Sequence, residues 1–590
     1  MIKDKWRNID VDYYVEKEYE PYAKQIFGNT PEMIEFFSKK LNYDFPWQKY
    51  AQIVGRDYVS GAMENTTAVI HEESAQQKAG DLADENKWED VIAHELFHHW
   101  FGDLVTAESW SNLTVNESFA DYSEYLWNEY KYGKDEADYK RLKSLRNSKA
   151  DPRNFGKDLV RFNYESREDM FDGVSYNKGG GILHMLRNYL GDDAFFAGLS
   201  DYLKTNEYGT GEAHQLRLSL EKVSGKDLNW FFNQWYFGKG YPKLEIKSTF
   251  DPMKKQVTVN VAQTQEEKFE FPLSIDVLEN GKISRKEVWV TAKAKNDFVF
   301  DVTKNPELIN ANPEGLLLSD IKQDKTPEQL FLQYTTAKDL YSKYTAIEEA
   351  KDQVSKNPFA DKLYAAALKD KFYRNRLLAL EGLPEDPKSF LADVEKLAQN
   401  DEKNLVKGAA IGVLAKTKNP KYLPLFEKGI NAVSNSVKGN SLSGIAQVAP
   451  EKVANYAEKI DLESASEDLV MTLLPVIVKN KITAQMPNIA SLVAFYPFIG
   501  FQNPKLASPA EEGFNWIMDS DNTKAVHNLT KVLGQAKSQI GDNVQAKMMI
   551  VQMLKKGLER KMKLFRENPS STSLNTQIEM LNKAITSYSN

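Results

Sequence analysis

A pair of histidines, His94 and His98, stands four residues apart in the sequence H-E-L-F-H. Residues at this spacing lie on one face of a helix, one turn apart. Two imidazoles arranged in this way can both reach a single zinc ion. The glutamate between them, Glu95, falls beside the metal rather than on it, where a general base for a water molecule belongs. The motif therefore predicts a helix that carries a catalytic metal site.

A third protein ligand is expected because catalytic zinc usually takes three and keeps one position for water. Glu117 is the candidate, since it opens a second amphipathic run, N-E-S-F-A-D-Y-S-E-Y-L, after a turn signal at Gly102. An antiparallel helix pair can bring this glutamate back to the histidines. Three of the seven histidines fall within residues 94–99, which favours a site over scatter. His99 has no ligand spacing to either partner, and we expect it to support the site or to pack in the core.

The runs H-E-L-F-H-H-W-F-G-D-L-V-T and N-E-S-F-A-D-Y-S-E-Y-L-W resemble the gluzincin zinc aminopeptidases of the aminopeptidase N family. In that family eighteen residues separate H-E-x-x-H from a glutamate ligand, as they separate His98 from Glu117 here. Two further stretches match in the same order. G-A-M-E-N at residues 61–65 is similar to the exopeptidase motif of the family, and S-Y-N-K-G at residues 175–179 to the stretch around its catalytic tyrosine.

The resemblance implies one bound zinc ion with His94, His98 and Glu117 as ligands. It also implies that Glu95 and Tyr176 are the catalytic residues. The chain has 28 tyrosines, so only the resemblance singles out Tyr176, whose hydroxyl would donate to an oxyanion on the scissile carbonyl.

Two positions depart from the family pattern. Asn177 stands where the family often has glutamate, and Ser118 stands where it usually has glycine. Neither change removes a reacting group, so we expect effects on packing and specificity rather than on the chemistry.

The predicted substrate-binding segment is Gly61, Ala62, Met63, Glu64 and Asn65, between two predicted strands at a sheet edge. The two small residues leave room for a peptide backbone to approach. The carboxylate of Glu64 can pair with a free α-ammonium group, which fixes the scissile bond relative to the metal. By resemblance, Met63 lines the pocket for the first side chain. An isolated glutamate is usually a surface residue, so the match to the family motif carries the assignment.

The length of 590 residues is too great for one hydrophobic core. A net charge of −8 argues against nucleic acid as a partner, and no apolar run reaches the ~18 residues of a transmembrane segment. With no cysteine, disulfides and thiolate metal sites are excluded. The first residues lack the apolar core of a signal peptide. We expect a cytoplasmic protein, or a periplasmic or secreted one if the native start is missing.

We expect a multidomain α+β protein. Residues 1–241 form the catalytic domain, which the resemblance implies is thermolysin-like; residues 1–50 are predicted to be mostly helical and residues 74–87 to be a loop. Residues 242–322 change to short alternating β-branched runs with turn signals such as Glu279-Asn280-Gly281, which predict a small β-sandwich. Residues 323–590 carry helical runs joined by short loops and resemble HEAT-like repeats without a strict period.

The expected function is a zinc metallo-aminopeptidase, a hydrolase that removes N-terminal residues from peptides with a free N-terminus. We expect a monomer. The resemblance also implies a β-rich N-terminal domain that this chain lacks, so we expect a piece of a longer protein.

Two other functions stay open. One branch of the family runs epoxide hydrolysis on the same zinc site. A non-catalytic zinc-binding scaffold would instead use the helical repeats to bind partners. The intact set of ligands, base and tyrosine argues against the scaffold.

Overall fold

The computed structural model describes residues 1–462, 465, 467–541 and 543–589. The chain divides into two units. One comprises Met1–Gln76 and Lys87–Gly382, and the other comprises Gln77–Asn86 and Leu383–Asn590. The division into domains at 1–241, 242–322 and 323–590 stays a prediction.

A five-stranded mixed sheet belongs to the first unit. Its strands are β1 (Ile2–Trp6), β2 (Ile9–Tyr14), β3 (Lys49–Gly55), β4 (Ala62–Met63) and β5 (Ala68–Glu72), in the order β1-β2-β3-β5-β4. The pairs β1/β2 and β4/β5 are antiparallel, and β2/β3 and β3/β5 are parallel. The short strand of the G-A-M-E-N segment is therefore an edge strand, open on one side to an added chain.

Helices α1 (Ala23–Phe27) and α2 (Thr30–Leu41) follow the first hairpin. The prediction that residues 1–50 are mostly helical is wrong for the first fourteen residues, which form β1 and β2. The run I-D-V-D-Y-Y of β2 alternates between buried and more exposed positions, which is the period of a strand rather than of a helix. Arg7, at a φ of 51°, forms the tight turn between the strands.

The next helices precede and follow the H-E-L-F-H sequence along the chain. They are α3 (Ala79–Leu82), α4 (Glu89–Phe97), α5 (Thr114–Tyr132), α6 (Lys134–Ala150), α7 (Gly179–Leu190), α8 (Asp192–Asn206), α9 (Ala213–Ser224) and α10 (Asn229–Trp235). Acidic residues in the first turn of α4 complement the helix dipole, and its apolar side is buried. Helix α5 packs on the segment that follows α4 through stacked rings, with the Phe101 and Phe119 centroids 4.2 Å apart. A small parallel pair, β6 (Val105–Ala107) and β7 (Gly209–Gly211), lies among these helices in the sequence.

Two further sheets follow in the first unit. Their strands are β8 (Lys243–Asp251), β9 (Gln256–Gln263), β10 (Phe271–Glu279), β11 (Lys282–Val290), β12 (Lys295–Asp301), β13 (Leu308–Ala311) and β14 (Asp320–Lys322). One sheet has the order β12-β9-β8-β14 and the other β11-β10-β13. The predicted hairpin joins β10 to β11 through Asn280 and Gly281, whose φ angles of 52° and 70° suit a two-residue hairpin turn. The sandwich arrangement of the sheets stays a prediction.

The rest of the described chain is helical. Its helices are α11 (Pro327–Thr336), α12 (Leu340–Ala350), α13 (Pro358–Ala367), α14 (Tyr373–Gly382), α15 (Leu391–Asn400), α16 (Asn404–Lys416), α17 (Leu423–Gly429), α18 (Asn435–Val448), α19 (Val453–Ala457), α20 (Glu467–Lys479), α21 (Met486–Val493), α22 (Tyr496–Gln502), α23 (Ala507–Met518), α24 (Thr523–Ile540), α25 (Val544–Glu567) and α26 (Thr572–Ser589). Among the described residues, no helix has both the length and the apolar character needed to cross a membrane. The HEAT-like organisation stays a prediction.

The second unit also includes residues 77–86, which the sequence predicts as loop. This segment contains the short helix α3 and caps the start of α18. The amide of Asn435 donates to Asp81 at 2.8 Å, and the backbone N–H of Ser436 donates to Asp84 at 2.8 Å. A carboxylate at this position satisfies backbone donors that the helix itself leaves free.

Candidate metal centre

Helices α4 and α5 bring the three predicted metal ligands together. His94 lies in the last turn of α4, His98 directly follows the helix, and Glu117 lies in the first turn of α5. The Nε2 atoms of both histidines lie 3.4 Å from the same oxygen, Oε2 of Glu117. All three side chains are buried, and their ligand atoms form a group that can hold a metal ion.

The spacing and the chemistry of this group fit zinc. A tetrahedral ion with bonds of about 2.0–2.1 Å holds its ligand atoms roughly 3.3 Å apart. At 3.4 Å the contacts to Glu117 are longer than ordinary hydrogen bonds, and its buried Oε2 has no hydrogen-bond partner among the described residues. Two imidazoles and one carboxylate also form a common donor set of catalytic zinc.

The outer nitrogen of each histidine is held by a second contact. Nδ1 of His94 lies 3.0 Å from Oε1 of Glu124, and Nδ1 of His98 lies 3.0 Å from the carbonyl oxygen of Phe101. Both acceptors fix the proton on Nδ1, so each Nε2 keeps its lone pair for a metal.

The charges at the centre favour a bound cation. Burial lowers the pKa of His94, but the nearby carboxylates of Glu117 and Glu124 outweigh it and raise the pKa well above its ordinary value. Burial opposes the shift at His98 too, yet the charges of Glu64 and Glu117 raise its pKa to about 10. Burial raises the pKa of Glu117, but His98 and His94 bring it down to about 2. The carboxylates therefore stabilise positive charge on the histidines, as they would stabilise a metal ion.

Glu95 lies beside the three ligands and does not join them. Its side chain is buried, and its Oε2 has no hydrogen-bond partner in the described part of the chain. Burial raises its pKa to about 7, although the charges of His94 and His98 act in the opposite direction. A carboxylate with a pKa near neutrality can both accept and return a proton during a reaction.

Tyr176 stands on a π-helical turn, Val174–Lys178, that leads into α7. Its ring stacks on His94, with centroids 5.8 Å apart and planes at 13°. Burial, followed by the charge of Glu117, raises the pKa of Tyr176 far above its ordinary value. The hydroxyl therefore stays protonated and can donate a hydrogen bond at the centre.

The two departures from the family pattern fix this turn onto α5 and α6. The Ser118 hydroxyl donates to the carbonyl oxygen of Ser175 at 2.6 Å. The Asn177 amide donates to Asp121 and to the hydroxyl of Ser144, each at 2.9 Å. Both substituted side chains thus help to position the turn that carries the tyrosine.

Sequence reasoning missed Asp121 and Glu124. They lie four and seven residues after Glu117, on the same face of α5. That spacing was the signal available for finding them, because side chains on this face point towards the same centre.

The G-A-M-E-N segment borders the metal centre at the sheet edge. Oε1 of Glu64 lies 3.9 Å from Nδ1 of His98, and Glu64, Glu95 and His98 form a second close group. Met63 is 37% exposed, and the carbonyl oxygen of Gly61 accepts from the backbone N–H of Glu72 at 2.9 Å. Ala62 pairs with β5, while Asn65 is exposed. Glu64 is thus the one carboxylate of the segment that reaches towards the histidines.

His99 packs in the core rather than joining the metal centre. Phe45 stacks on its ring, and Tyr50 contacts the ring edge-on. Its Nε2 accepts the backbone N–H of Thr67 at 2.9 Å, so the residue ties the end of α4 to the chain just after G-A-M-E-N. Burial lowers its pKa to about 3, the opposite of the shift at His98.

Comparison with known proteins agrees with this geometry. Residues 26–235 match the Peptidase family M1 domain. Aminopeptidase N of Streptomyces lividans is 33% identical over 248 residues, 39% of this chain and 28% of that protein. Aminopeptidase M1 of Arabidopsis thaliana is 31% identical over 227 residues, 36% of this chain and 25% of that protein. The crystal structure of Legionella pneumophila aminopeptidase A in complex with aspartic acid aligns with a TM-score of 0.63 at 17% identity, over 98% of this chain and 75% of that one.

The structural alignment shows an aminopeptidase-like fold of mixed helices and sheets. Residues 26–235 are similar to a peptidase family M1 domain, and the predicted resemblance to the aminopeptidase N family is confirmed. The matched stretch spans about a quarter of the length of each of the two curated relatives named above.

Proposed function

We propose that this chain is a zinc-dependent aminopeptidase that hydrolyses the N-terminal peptide bond of peptides. The observation that carries the proposal is the equal 3.4 Å spacing from Glu117 Oε2 to the Nε2 atoms of His94 and His98, with Glu95 buried beside them. The match to the M1 domain supports the same reaction class. The comparisons favour neither an epoxide hydrolase nor a non-catalytic scaffold.

His94, His98 and Glu117 would hold one zinc ion. When bound, zinc polarises the scissile carbonyl and makes a water molecule acidic enough to act as a nucleophile near neutral pH. Glu95 accepts the proton of the attacking water and returns it to the leaving amine. Tyr176 donates a hydrogen bond to the oxygen on which negative charge develops.

Glu64 anchors the substrate through its free α-ammonium group. Its carboxylate lies next to His98 and at the sheet edge, where an extended peptide can add beside β4. A substrate with a blocked N-terminus cannot form this charge-assisted contact. Gly61, Ala62, Met63 and Asn65 complete the proposed substrate-binding segment.

We extend the proposal to the architecture around the site. The catalytic domain is thermolysin-like and spans residues 1–241, a β-sandwich spans 242–322, and HEAT-like repeats span 323–590. The strand order of the two small sheets and the run of helices after residue 326 support this description.

The test is hydrolysis of a panel of aminoacyl fluorogenic amides, each with a free and an N-acetylated amine, by the zinc-loaded chain. Glu95→Gln protein is the control, because it keeps the shape of the side chain and all three zinc ligands. We expect cleavage of the free-amine substrates only, with a loss of at least about 10²-fold in the control.

Other outcomes separate the parts of the proposal. Equal cleavage of acetylated substrates would contradict the role of Glu64. Full activity in Glu95→Gln protein would contradict the general base. No cleavage by a chain that holds one zinc ion would contradict aminopeptidase activity in this chain.

A further inference from the structure

A second charged cavity lies behind the tyrosine turn, in the same unit. Its volume is about 360 Å³, and its walls come from four separated parts of the chain. The charged side chains that line it are Lys149, Lys178, Lys243, Asp151 and Asp320. We name it the lysine cavity after its three lysines. Lys178, which lines the cavity, is the last residue of the Val174–Lys178 turn. Tyr176 of the same turn stacks on His94 at the metal centre.

The charges of the lysine cavity do not cancel. Lys149 pairs with Asp320 at 2.9 Å, and Asp151 pairs with Arg153 at 2.6 Å. Lys178 and Lys243 form no ion pair with any described residue. Two ammonium groups therefore remain without a carboxylate partner.

Lys178 is the decisive side chain because it is only 3% exposed. Its ammonium has three donors, yet its hydrogen bond within the described chain is one long contact of 3.3 Å to the carbonyl oxygen of Lys157. Burying a charge is costly unless it is paired and hydrogen-bonded. Burial lowers the pKa of Lys178 to about 8, and Asp158 and Asp172 recover only part of that shift.

Lys243 adds the second charge from another element. Its ammonium lies 4.2 Å from the ring centre of Phe155, on the wall of the cavity. An aromatic face stabilises a cation weakly and leaves its donors free for an anion. The residue belongs to β8, so the two lysines reach the cavity from different elements, the tyrosine turn and a strand.

We propose that the lysine cavity binds a small oxyanion of phosphate size, with Lys178 and Lys243 as its main ligands. A tetrahedral oxyanion offers enough acceptors for the free donors of both ammonium groups. Lys149 also lines the cavity and adds positive charge that Asp320 partly offsets. This site is independent of the proposed peptidase reaction.

The test is calorimetric titration of the zinc-loaded chain with inorganic phosphate, at constant ionic strength balanced with chloride. We expect saturable binding of one phosphate per chain. Lys178→Met and Lys243→Met should each weaken the affinity about tenfold or more, since each removes a charge-assisted contact. The matched control is Lys239→Met, an exposed lysine of the same segment that does not line the cavity.

Thermal unfolding gives a second readout. Phosphate should raise the midpoint of the unmutated chain and of Lys239→Met protein, and should raise it less in either cavity variant. Lys243 is only half-buried, so its variant remains informative if Lys178→Met protein fails to fold.

Two results would overturn the proposal. The first is phosphate affinity that is the same in the unmutated chain and in both cavity variants, or binding that never saturates. The second is binding that disappears in Glu117→Ala protein and persists in Lys178→Met protein, because the phosphate would then sit at the metal centre.

Discussion

The metal centre and the lysine cavity flank one short turn and carry opposite charge. At the metal centre, carboxylates raise the pKa of His98 to about 10, despite burial. At the lysine cavity, burial lowers the pKa of Lys178 to about 8 because no carboxylate pairs with it. In a buried cluster, the polar groups that lack a partner indicate the charge of the ligand that would satisfy them. Carboxylates in excess around buried histidines favour binding of a cation. Buried ammonium groups with free donors favour binding of an anion.

The largest expected effect comes from removing the carboxylate of Glu117, whose Oε2 lies 3.4 Å from Nε2 of both His94 and His98. Glu117→Ala protein should lose its bound zinc and its peptidase activity, because two imidazoles alone do not make a complete site. Metal analysis after gel filtration measures the first effect, and the amide assay measures the second. Phosphate binding at the lysine cavity should not change. Glu129→Gln, on the same helix and outside the ligand group, is the control; retention of one zinc in Glu117→Ala protein would refute the ligand assignment.

A smaller effect is expected from the tyrosine of the turn. Tyr176→Phe should lower kcat by about 10²–10³-fold, the usual cost of losing one donor to an oxyanion, with zinc content unchanged. It should also leave phosphate affinity unchanged, since the hydroxyl faces the metal centre and not the cavity. Steady-state kinetics and calorimetry on the same preparation test both statements. A large loss of phosphate binding would show that the two sites are not separable.

The contact between Glu124 and Nδ1 of His94 should contribute less to zinc affinity than the ligands themselves. Glu124→Gln keeps the shape of the side chain but weakens the acceptor for Nδ1 of His94, which lies 3.0 Å away. We expect zinc affinity to fall by about 10–100-fold, as is typical for partners of a ligand. Competition with a chromogenic chelator measures the affinity, and excess zinc should restore activity. Unaltered affinity would mean that this contact does not orient the imidazole.

The grouping of His94, His98 and Glu117 was predictable from the sequence, whereas the lysine cavity was not. His94 and Glu117 lie on helices and His98 directly follows one, all at fixed spacings, so the geometry of a helix already implies the approach of the two histidines. The residues of the cavity come from distant segments that meet only after folding. Lys178 lies inside a motif that the sequence did single out, yet nothing local shows that its ammonium is buried without a carboxylate.

The fold shows the same limit on a larger scale. The hairpin at Asn280-Gly281 was predictable because local turn chemistry dictates it. Strands β1 and β2 were not predicted, although I-D-V-D-Y-Y alternates, because the longer helical pattern at residues 18–41 is the stronger periodic signal within residues 1–50. The attachment of residues 77–86 to α18 could not be predicted, since its contacts join positions about 350 residues apart.

The smallest expected effect concerns the charge balance of the lysine cavity itself. Asp320→Asn removes the carboxylate charge that pairs with Lys149 at 2.9 Å and leaves the contact of that lysine with the carbonyl oxygen of Ser319. Because the pair is half exposed, its charge contributes little, and phosphate affinity should rise only about two- to fivefold. Calorimetry at low and high chloride measures the change, which should shrink as salt screens the charges. Weaker binding in Asp320→Asn protein would place the carboxylate among the contacts of the ligand and would argue for a cation rather than an oxyanion.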